Sequence, residues 1–284
     1  MNNYHLCAMN CHYRFYQLES FFRCASRLGF KHVEIWTAPQ HFFMDYQQYE
    51  DPDKLIGLAE KFNVRISCIC PEQTNPKPNN IAIKDKEGQK RVLRYFKNAI
   101  DVSKTVGANK VVITSGWAFY DEDVKTARDR SIAMLKEISN YAALKDVYLA
   151  MEALQKGEST IANTSLDLKE IIKEVGNNHL KVCLDLGAMA GANETIEDYF
   201  RVFHEDIIHC HFVDGNPTGH LAWGDGSRDM EEDLKVFDIF SYSGLLSLES
   251  ANDRYFQEPF AADKKTMTIY KNIKKGKSKY ASIS

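Results

Sequence analysis

The feature that most constrains the fold is a regular alternation of short apolar runs with helical stretches, repeated about eight times along 284 residues. Runs such as Val64–Cys70 and Lys110–Gly116 are rich in β-branched residues and too short to be typical helices. Between such runs lie stretches such as Lys86–Val106, in which apolar residues recur three and four positions apart before Gly107. Because a helix separates each strand from the next, the pattern predicts a parallel sheet.

The predicted elements cover most of the chain and favour one architecture. About eight strand and helix units in 284 residues are typical of a (β/α)8 barrel, the TIM barrel, and an open doubly wound sheet is the alternative. Residues 1–284 are expected to form one such domain, with a C-terminal helix and a short basic tail. Strands are predicted at 4–9, 32–36, 64–70, 110–116, 147–152, 180–185, 207–215 and 245–249, and helices at 18–28, from 51 onward, and at 86–106, 124–144, 167–175, 196–203, 233–240 and 259–273.

The composition excludes several classes of function. With 44% hydrophobic residues, 26% charged residues and a net charge of −3, the chain has no basic excess that would indicate a nucleic-acid partner. It has no apolar run long enough to span a membrane, and Met1–His5 lacks a cationic stretch followed by an apolar one. Seven cysteines without a CxxC pair are expected to be buried, reduced thiols. We therefore expect a cytoplasmic protein.

Four strand ends carry ionisable residues. Glu152, Asp185, His211 and Glu249 close the last four predicted strands, and in either fold the carboxyl ends of parallel strands gather at one face. A lone charge in an apolar strand is costly unless it is paired or bound to metal. A salt bridge or strand-end cap would explain any one of them, but a single divalent cation would explain all four. Three carboxylates and one imidazole favour Mn²⁺ first, with Mg²⁺, Co²⁺, Ni²⁺ or Zn²⁺ as alternatives.

Short motifs surround these four residues, and they resemble those of a known superfamily. The segments Met151–Glu158, Cys183–Gly187, His209–Asp214 and Ser247–Glu249 are similar to motifs of the xylose isomerase-like barrels, which are sugar isomerases and epimerases. Within that superfamily the chain resembles the ketose 3-epimerases, and most of all the fructoselysine 3-epimerases. This finer resemblance is carried by Glu34–Trp36, Pro71-Glu72, Asp185–Ala188, His211–Asp214, His220 and Gly224–Gly226.

The resemblance implies roles for individual residues. It implies that one metal ion is held by the four strand-end residues, that Glu152 and Glu249 also form the acid–base pair, and that Glu158 contacts the substrate. It further implies a dimer or tetramer acting on a small sugar. Tagatose-type epimerases have a histidine three residues after the aspartate ligand and an arginine six after the histidine ligand; here these positions hold Ala188 and Pro217. The sugar pocket is therefore expected to differ.

The chemistry follows from the types of residue. A ketose carbonyl and its neighbouring hydroxyl can chelate the metal, which stabilises the enediolate formed when a carbon-bound proton leaves. Two glutamates on opposite faces of the carbon would invert C3 of a ketose or of a ketosamine such as fructoselysine. A single base on one face would instead give aldose–ketose isomerisation.

Other residues have two possible roles each. Trp36 and Trp117 are expected to wall the sugar pocket or to pack at the rim, and Glu72 to assist at the site or to be an exposed loop acid. Asp214 and His220 are expected to bind substrate or to lock their loop. Three further expectations are that His209 lies behind His211, that His12 is a solvated loop histidine in preference to a substrate contact, and that Thr74–Asn80 is a loop at the active face.

The same barrel fold is compatible with other functions. An aldose–ketose isomerase or an inosose-type dehydratase would use much the same ligands. A DNA-repair nuclease of the endonuclease IV type would need about three zinc ions and more histidines, and Ala188 stands where one of those histidines is expected. A catalytically silent sugar-binding barrel would leave the two glutamates unexplained. The expected partner is therefore a small-molecule sugar, with no nucleic acid and no membrane.

Overall fold

The eight strands are parallel and form a closed barrel in sequence order. The computed structural model describes residues 4–73 and 79–276. Closure is made by the first and last strands, where Leu6 lies opposite Leu246, so the predicted TIM barrel is confirmed and an open sheet is excluded. The strands are β1 (His5–Met9), β2 (His32–Trp36), β3 (Arg65–Cys70), β4 (Lys110–Ile113), β5 (Tyr148–Met151), β6 (Leu180–Asp185), β7 (Ile207–His211) and β8 (Leu245–Leu248).

Capping residues mark the ends of several helices. The first helix ends at Gly29, which adopts a left-handed φ of 90°, and the third begins after Asp85, whose carboxylate accepts a hydrogen bond from the Gly88 amide. The helices are α1 (Leu18–Leu28), α2 (Asp53–Lys61), α3 (Lys86–Thr105), α4 (Val124–Lys145), α5 (Ser165–Val175), α6 (Leu186–Gly191), α7 (Ile196–Phe203), α8 (Met230–Ile239) and α9 (Pro259–Lys274).

One helix was not anticipated. The six residues of α6 are too few to show a helical period, so the sequence pattern does not reveal them. The helix starts directly after Asp185, and the Asp185 side chain caps it by accepting a hydrogen bond from the Ala188 amide. The same carboxylate therefore both ends a strand and begins a helix at the barrel mouth.

The core has two parts. A large apolar layer lies between the strands and the helices, while the barrel interior holds a smaller group that includes Met9, Cys68, Cys70 and Val112. All seven cysteines are free and all except Cys24 are buried, as expected for reduced thiols. In the described ranges, no helix combines the length and the apolar character needed to cross a membrane.

Two sequence expectations fall on segments without a description. Residues 74–78 of the predicted active-face loop lie outside the described residues, although Asn79 lines a cavity at the barrel mouth. The predicted basic tail at 277–284 also lies outside them.

Candidate metal and sugar site

The four strand-end residues meet at the barrel mouth. Glu152 follows β5, Asp185 and His211 end β6 and β7, and Glu249 follows β8. The Nδ1 atom of His211 lies 2.9 Å from Glu152 Oε2, 3.0 Å from Glu249 Oε2 and 3.8 Å from Asp185 Oδ2. Strand register explains the convergence, because Asp185 is opposite His211 and His211 is opposite Ser247, two residues before Glu249.

These side chains fit a divalent cation. Among the described residues, buried His211 Nδ1 finds no hydrogen-bond partner of acceptable geometry, although two carboxylate oxygens lie within about 3 Å of it. An unsatisfied ring nitrogen facing three carboxylates is the arrangement expected of a metal site with hard oxygen donors and one imidazole. Cys183 lies beside Glu152 and His211, but burial raises the pKa of its thiol, which disfavours the thiolate form that binds metals.

Glu34 orients His211, a role that was not predicted from the sequence. Its Oε1 lies 3.3 Å from His211 Nε2 and its Oε2 lies 2.8 Å from His209 Nε2, and all three side chains are fully buried. Burial alone would raise the pKa of Glu34, but the two histidines hold it well below its usual value. The contact of Glu34 with Nε2 turns the other ring nitrogen, Nδ1, toward the carboxylates at the strand ends. The available clue was a carboxylate in the middle of the apolar run Val33–Ile35.

His209 lies behind His211, as the strand alternation predicts. The two imidazole centroids are 5.6 Å apart, and the neighbouring Glu34 carboxylate contacts both rings. Burial is the largest influence on His209 and lowers its pKa, which favours the neutral ring. His209 therefore supports the site from the barrel interior.

A second histidine reaches the site from the loop between β7 and α8. His220 Nε2 lies 3.1 Å from Asp185 Oδ2 and 3.3 Å from Glu249 Oε2. Burial opposes its charged form, but these carboxylates hold the pKa of His220 well above its usual value. The ring also packs over Gly187, where a Cβ would stand 2.9 Å from His220 Cε1. Glycine at 187 therefore leaves room for the imidazole.

The pKa values of the two proposed acid–base residues are shifted in opposite directions. Burial raises the pKa of Glu152 to about 7, although His211 acts in the other direction. For Glu249, burial is outweighed by His211 and His220, and the pKa lies below its usual value. Their side chains remain 14% and 21% exposed, whereas His211 is fully buried. The glutamates can therefore contact a sugar in the mouth, whereas the imidazole can reach only an ion held between the side chains.

Two adjoining cavities open beside these glutamates. An inner cavity of about 50 Å³ is lined by Glu152, Glu158, Trp117 and Thr114, among others. An outer cavity of about 680 Å³ is lined by residues of the loops after β1, β2 and β3, among them Glu72. Trp36 and Glu249 line both cavities, so the predicted contacts Trp36, Trp117, Glu72 and Glu158 all lie on cavity walls.

Asp214 locks its loop and does not line either cavity. Its carboxylate is 1% exposed and accepts hydrogen bonds from the backbone amides of Gly215, Gly224, Gly226 and Arg228, at 2.8 to 3.0 Å. Four donors occupy both oxygens, which leaves no free oxygen for a sugar hydroxyl. Of the two sequence interpretations, loop locking therefore fits the structure, and the substrate contact does not.

The expectation for His12 was wrong. His12 is fully buried, and its Nε2 lies 2.9 Å from Asp263 Oδ1, 251 residues away in the chain. Tyr13 donates a hydrogen bond to the other oxygen of Asp263 at 2.8 Å. The start of the turn after β1, at residues 10–13, is thus buried against α9, and no sequence pattern connects residues so far apart.

Comparison with known proteins agrees with this architecture. Residues 22–272 match the family model of the xylose isomerase-like TIM barrels. The chain is 26% identical over 251 residues to fructoselysine 3-epimerase of Shigella flexneri, which covers 88% of this chain and 90% of the relative. It is 25% identical over 231 residues to D-psicose 3-epimerase of Enterocloster bolteae, covering 79% and 73% respectively. The fold matches D-psicose 3-epimerase with D-tagatose from Clostridium cellulolyticum H10 with a TM-score of 0.77 at 16% identity, over 95% of this chain and 98% of that one.

Proposed function

Because the chain belongs to the family of xylose isomerase-like TIM barrels, we propose that it is a metal-dependent epimerase that inverts C3 of a ketose or of a fructoselysine-like ketosamine. Family membership and the curated relatives confirm the prediction of an enzyme of the sugar isomerase and epimerase class. One observation carries the finer proposal: two part-exposed glutamates lie 2.9 and 3.0 Å from the same buried imidazole nitrogen.

The chain's own residues would hold the cation. Glu152, Asp185, His211 and Glu249 supply three carboxylates and one neutral imidazole, a set for which Mn²⁺ is the first candidate. When bound, the cation supplies a Lewis acid that stabilises the negative charge developing on the ketose oxygens. Glu34 keeps the His211 ring in the orientation that presents Nδ1 to this position.

The two glutamates would move the proton. They follow β5 and β8, which are separated by two strands around the barrel. From this separation we infer that they approach a bound carbon from different sides. One carboxylate accepts the C3 proton as the C–H bond breaks and its electrons pass toward the carbonyl. The other donates a proton to the opposite face, so a C–H bond re-forms with inverted configuration and no atom is gained or lost.

The remaining wall residues would orient the sugar. We infer that Trp36 and Trp117 pack against its C–H faces, since both line the inner cavity, and that Glu158 binds a hydroxyl there. His220 would bind the substrate from the side of Asp185 and Glu249. Glu72, on the outer wall, would contact whatever extends beyond the reacting carbons.

The proposal extends to the whole chain. We infer one barrel domain over residues 1–284. We also infer a reducing compartment, the cytoplasm, because all seven cysteines are free. We propose a homo-oligomer, either a dimer or a tetramer, whose interface would cover the neighbouring side chains of Phe119 and Tyr120, which are 55% and 88% exposed.

Deuterium exchange tests the reaction directly. Metal-loaded protein is incubated in D2O with a panel of ketoses and ketosamines, and the product is examined for deuterium at C3 and for the C3 epimer. Deuterium at C1 or C2 with an aldose product would instead identify an aldose–ketose isomerase. Cleavage of abasic DNA, with no exchange on any sugar, would overturn the proposal in favour of a nuclease.

A further inference from the structure

The outer cavity is larger than the reacting part of a sugar requires. Its volume of about 680 Å³ lies within the range, roughly 300–1,000 Å³, of sites that hold drug-sized ligands. The inner cavity beside Glu152 and Glu158 is only about 50 Å³. Since Glu249 lines both cavities, a substrate whose C3 lies at Glu249 has room to extend outward and little room to extend inward.

Arg14 is a preorganised cation on the wall of the outer cavity. Its guanidinium carbon lies 5.0 Å from the centroid of the Trp36 ring and 4.3 Å from that of Phe256. Its Nε donates a hydrogen bond to the Cys11 carbonyl at 3.1 Å, so the position of the side chain is fixed. Two aromatic faces and one backbone contact hold the planar group without neutralising its charge.

Arg14 has no carboxylate partner among residues 4–73 and 79–276, unlike the other arginine of this cavity. That other arginine, Arg91, has its Nη2 atom 3.5 Å from Asp85 Oδ2. Asp45 and Glu72 also line the cavity, and Asp45 accepts hydrogen bonds from the amides of Gln47 and Gln48 at 2.7 and 2.8 Å. With acids and arginines on the same wall, the cavity has no excess of positive charge. An anion would therefore be recognised locally, by the guanidinium of Arg14.

We propose that Arg14 binds an anionic group, a carboxylate or a phosphate, at the far end of a substituent on the ketose. The preferred substrate is then a charged ketose conjugate and not a free ketose. This inference rests on the proposed C3 epimerase function. A planar guanidinium can bind either anion through two parallel hydrogen bonds, and its fixed position reduces the entropy lost on binding.

Matched substrates test the inference. The ε-fructosyl conjugate of lysine is compared with the same conjugate of 1,5-diaminopentane, which lacks only the carboxylate, and fructose 6-phosphate is compared with fructose. For the favoured anion, wild-type kcat/KM should exceed that for the partner without the anionic group by roughly 10- to 100-fold, the range expected of a charge-assisted bidentate contact. Arg14→Gln should remove this preference mainly through KM, and Arg14→Lys should restore part of it.

A variant with the same change of net charge is the control. Arg27 is exposed and lies over the Phe260 ring, away from both cavities, so Arg27→Gln should keep the wild-type preference. Thermal unfolding should confirm that both glutamine variants fold. A preference for the lysine conjugate identifies a carboxylate, and one for the sugar phosphate identifies a phosphate.

Failure of the inference and failure of the proposed function are distinguishable. If the substrates with and without the anionic group react equally well, or if Arg14→Gln keeps the preference, the role of Arg14 is overturned while C3 exchange still supports the epimerase. If no ketose exchanges at all, calorimetric binding of the lysine conjugate and of fructose 6-phosphate to metal-loaded protein decides the question. Equal affinities of wild type and Arg14→Gln for both would overturn the inference.

Discussion

At the residue scale, Glu249 differs from other acids of its loop by its position beside His211 and His220. Glu249→Gln keeps the size of the side chain but removes a proton acceptor, so kcat for epimerisation should fall by about 10²–10⁴-fold. Glu258→Gln, an exposed change before α9, should leave kcat unchanged. Both are measured by C3 deuterium incorporation. A fully active Glu249→Gln would contradict the mechanism with two bases.

Glu34 provides a second prediction at this scale, with a readout that does not require turnover. Glu34→Gln cannot accept hydrogen bonds from both His209 and His211 as a carboxylate does, so the His211 ring should lose its fixed orientation. Metal affinity, measured by competition with a chelator, should fall by about 10- to 100-fold. Wild-type affinity in a folded Glu34→Gln variant would show that the carboxylate does not position the ligand.

At the scale of elements, the loop from β7 to α8 is organised around one carboxylate. Asp214→Asn replaces an acceptor of four amide hydrogens by a group with a single oxygen, so the unfolding free energy should fall by about 1–3 kcal/mol. Urea unfolding measures this change, with Asp129→Asn as the control, because Asp129 is exposed on α4. Equal stabilities of the two variants would contradict the locking role.

The loop from β4 to α4 gives a pH dependence. Glu122 Oε2 lies 2.6 Å from Arg130 Nη2, and the Glu122 side chain accepts a hydrogen bond from the Phe119 amide. Burial alone would raise the pKa of Glu122, but these two contacts lower it. A carboxyl group whose pKa is lower in the folded than in the unfolded protein stabilises the fold at pH values above its unfolded pKa. That stabilisation is lost as the pH falls through the folded pKa. Between about pH 5 and pH 3, wild type should therefore lose more unfolding free energy than Glu122→Gln. Parallel curves from urea unfolding would exclude this contribution.

At the scale of the whole molecule, the four proposed metal ligands lie at the carboxyl ends of four consecutive strands, β5 to β8. The unfolded chain cannot present them together, so binding should stabilise only the folded barrel, by about 2.7 kcal/mol at a metal concentration one hundred times Kd. Mn²⁺ should raise Tm, a chelator should reverse the rise, and Asp185→Asn should reduce it. An unchanged Tm with Mn²⁺, Mg²⁺, Co²⁺, Ni²⁺ and Zn²⁺ would argue against a metal site.

Much of the fold could be predicted because the patterns are local. The limits of α1, β2 and β6 match the sequence prediction, since apolar periodicity and a terminal glycine or acid are readable within a few residues. The same reasoning identified Glu152, Asp185, His211 and Glu249, because each interrupts or ends an apolar strand and parallel strands end at one face. The alternation of strands and helices thus determined the barrel and the face that carries the site.

The tertiary structure alone decided which distant side chains meet. Glu34 contacts His211 across 177 positions, and His12 contacts Asp263 across 251. No local period encodes such a pair, because periodicity reports which face of a strand is buried and not which partner lies across the barrel. Closure of β1 against β8 brings the turn after β1 under α9 and sets Arg14 beside Trp36 on the outer cavity wall. Those contacts depend on the ring being closed, which is a property of all eight strands together.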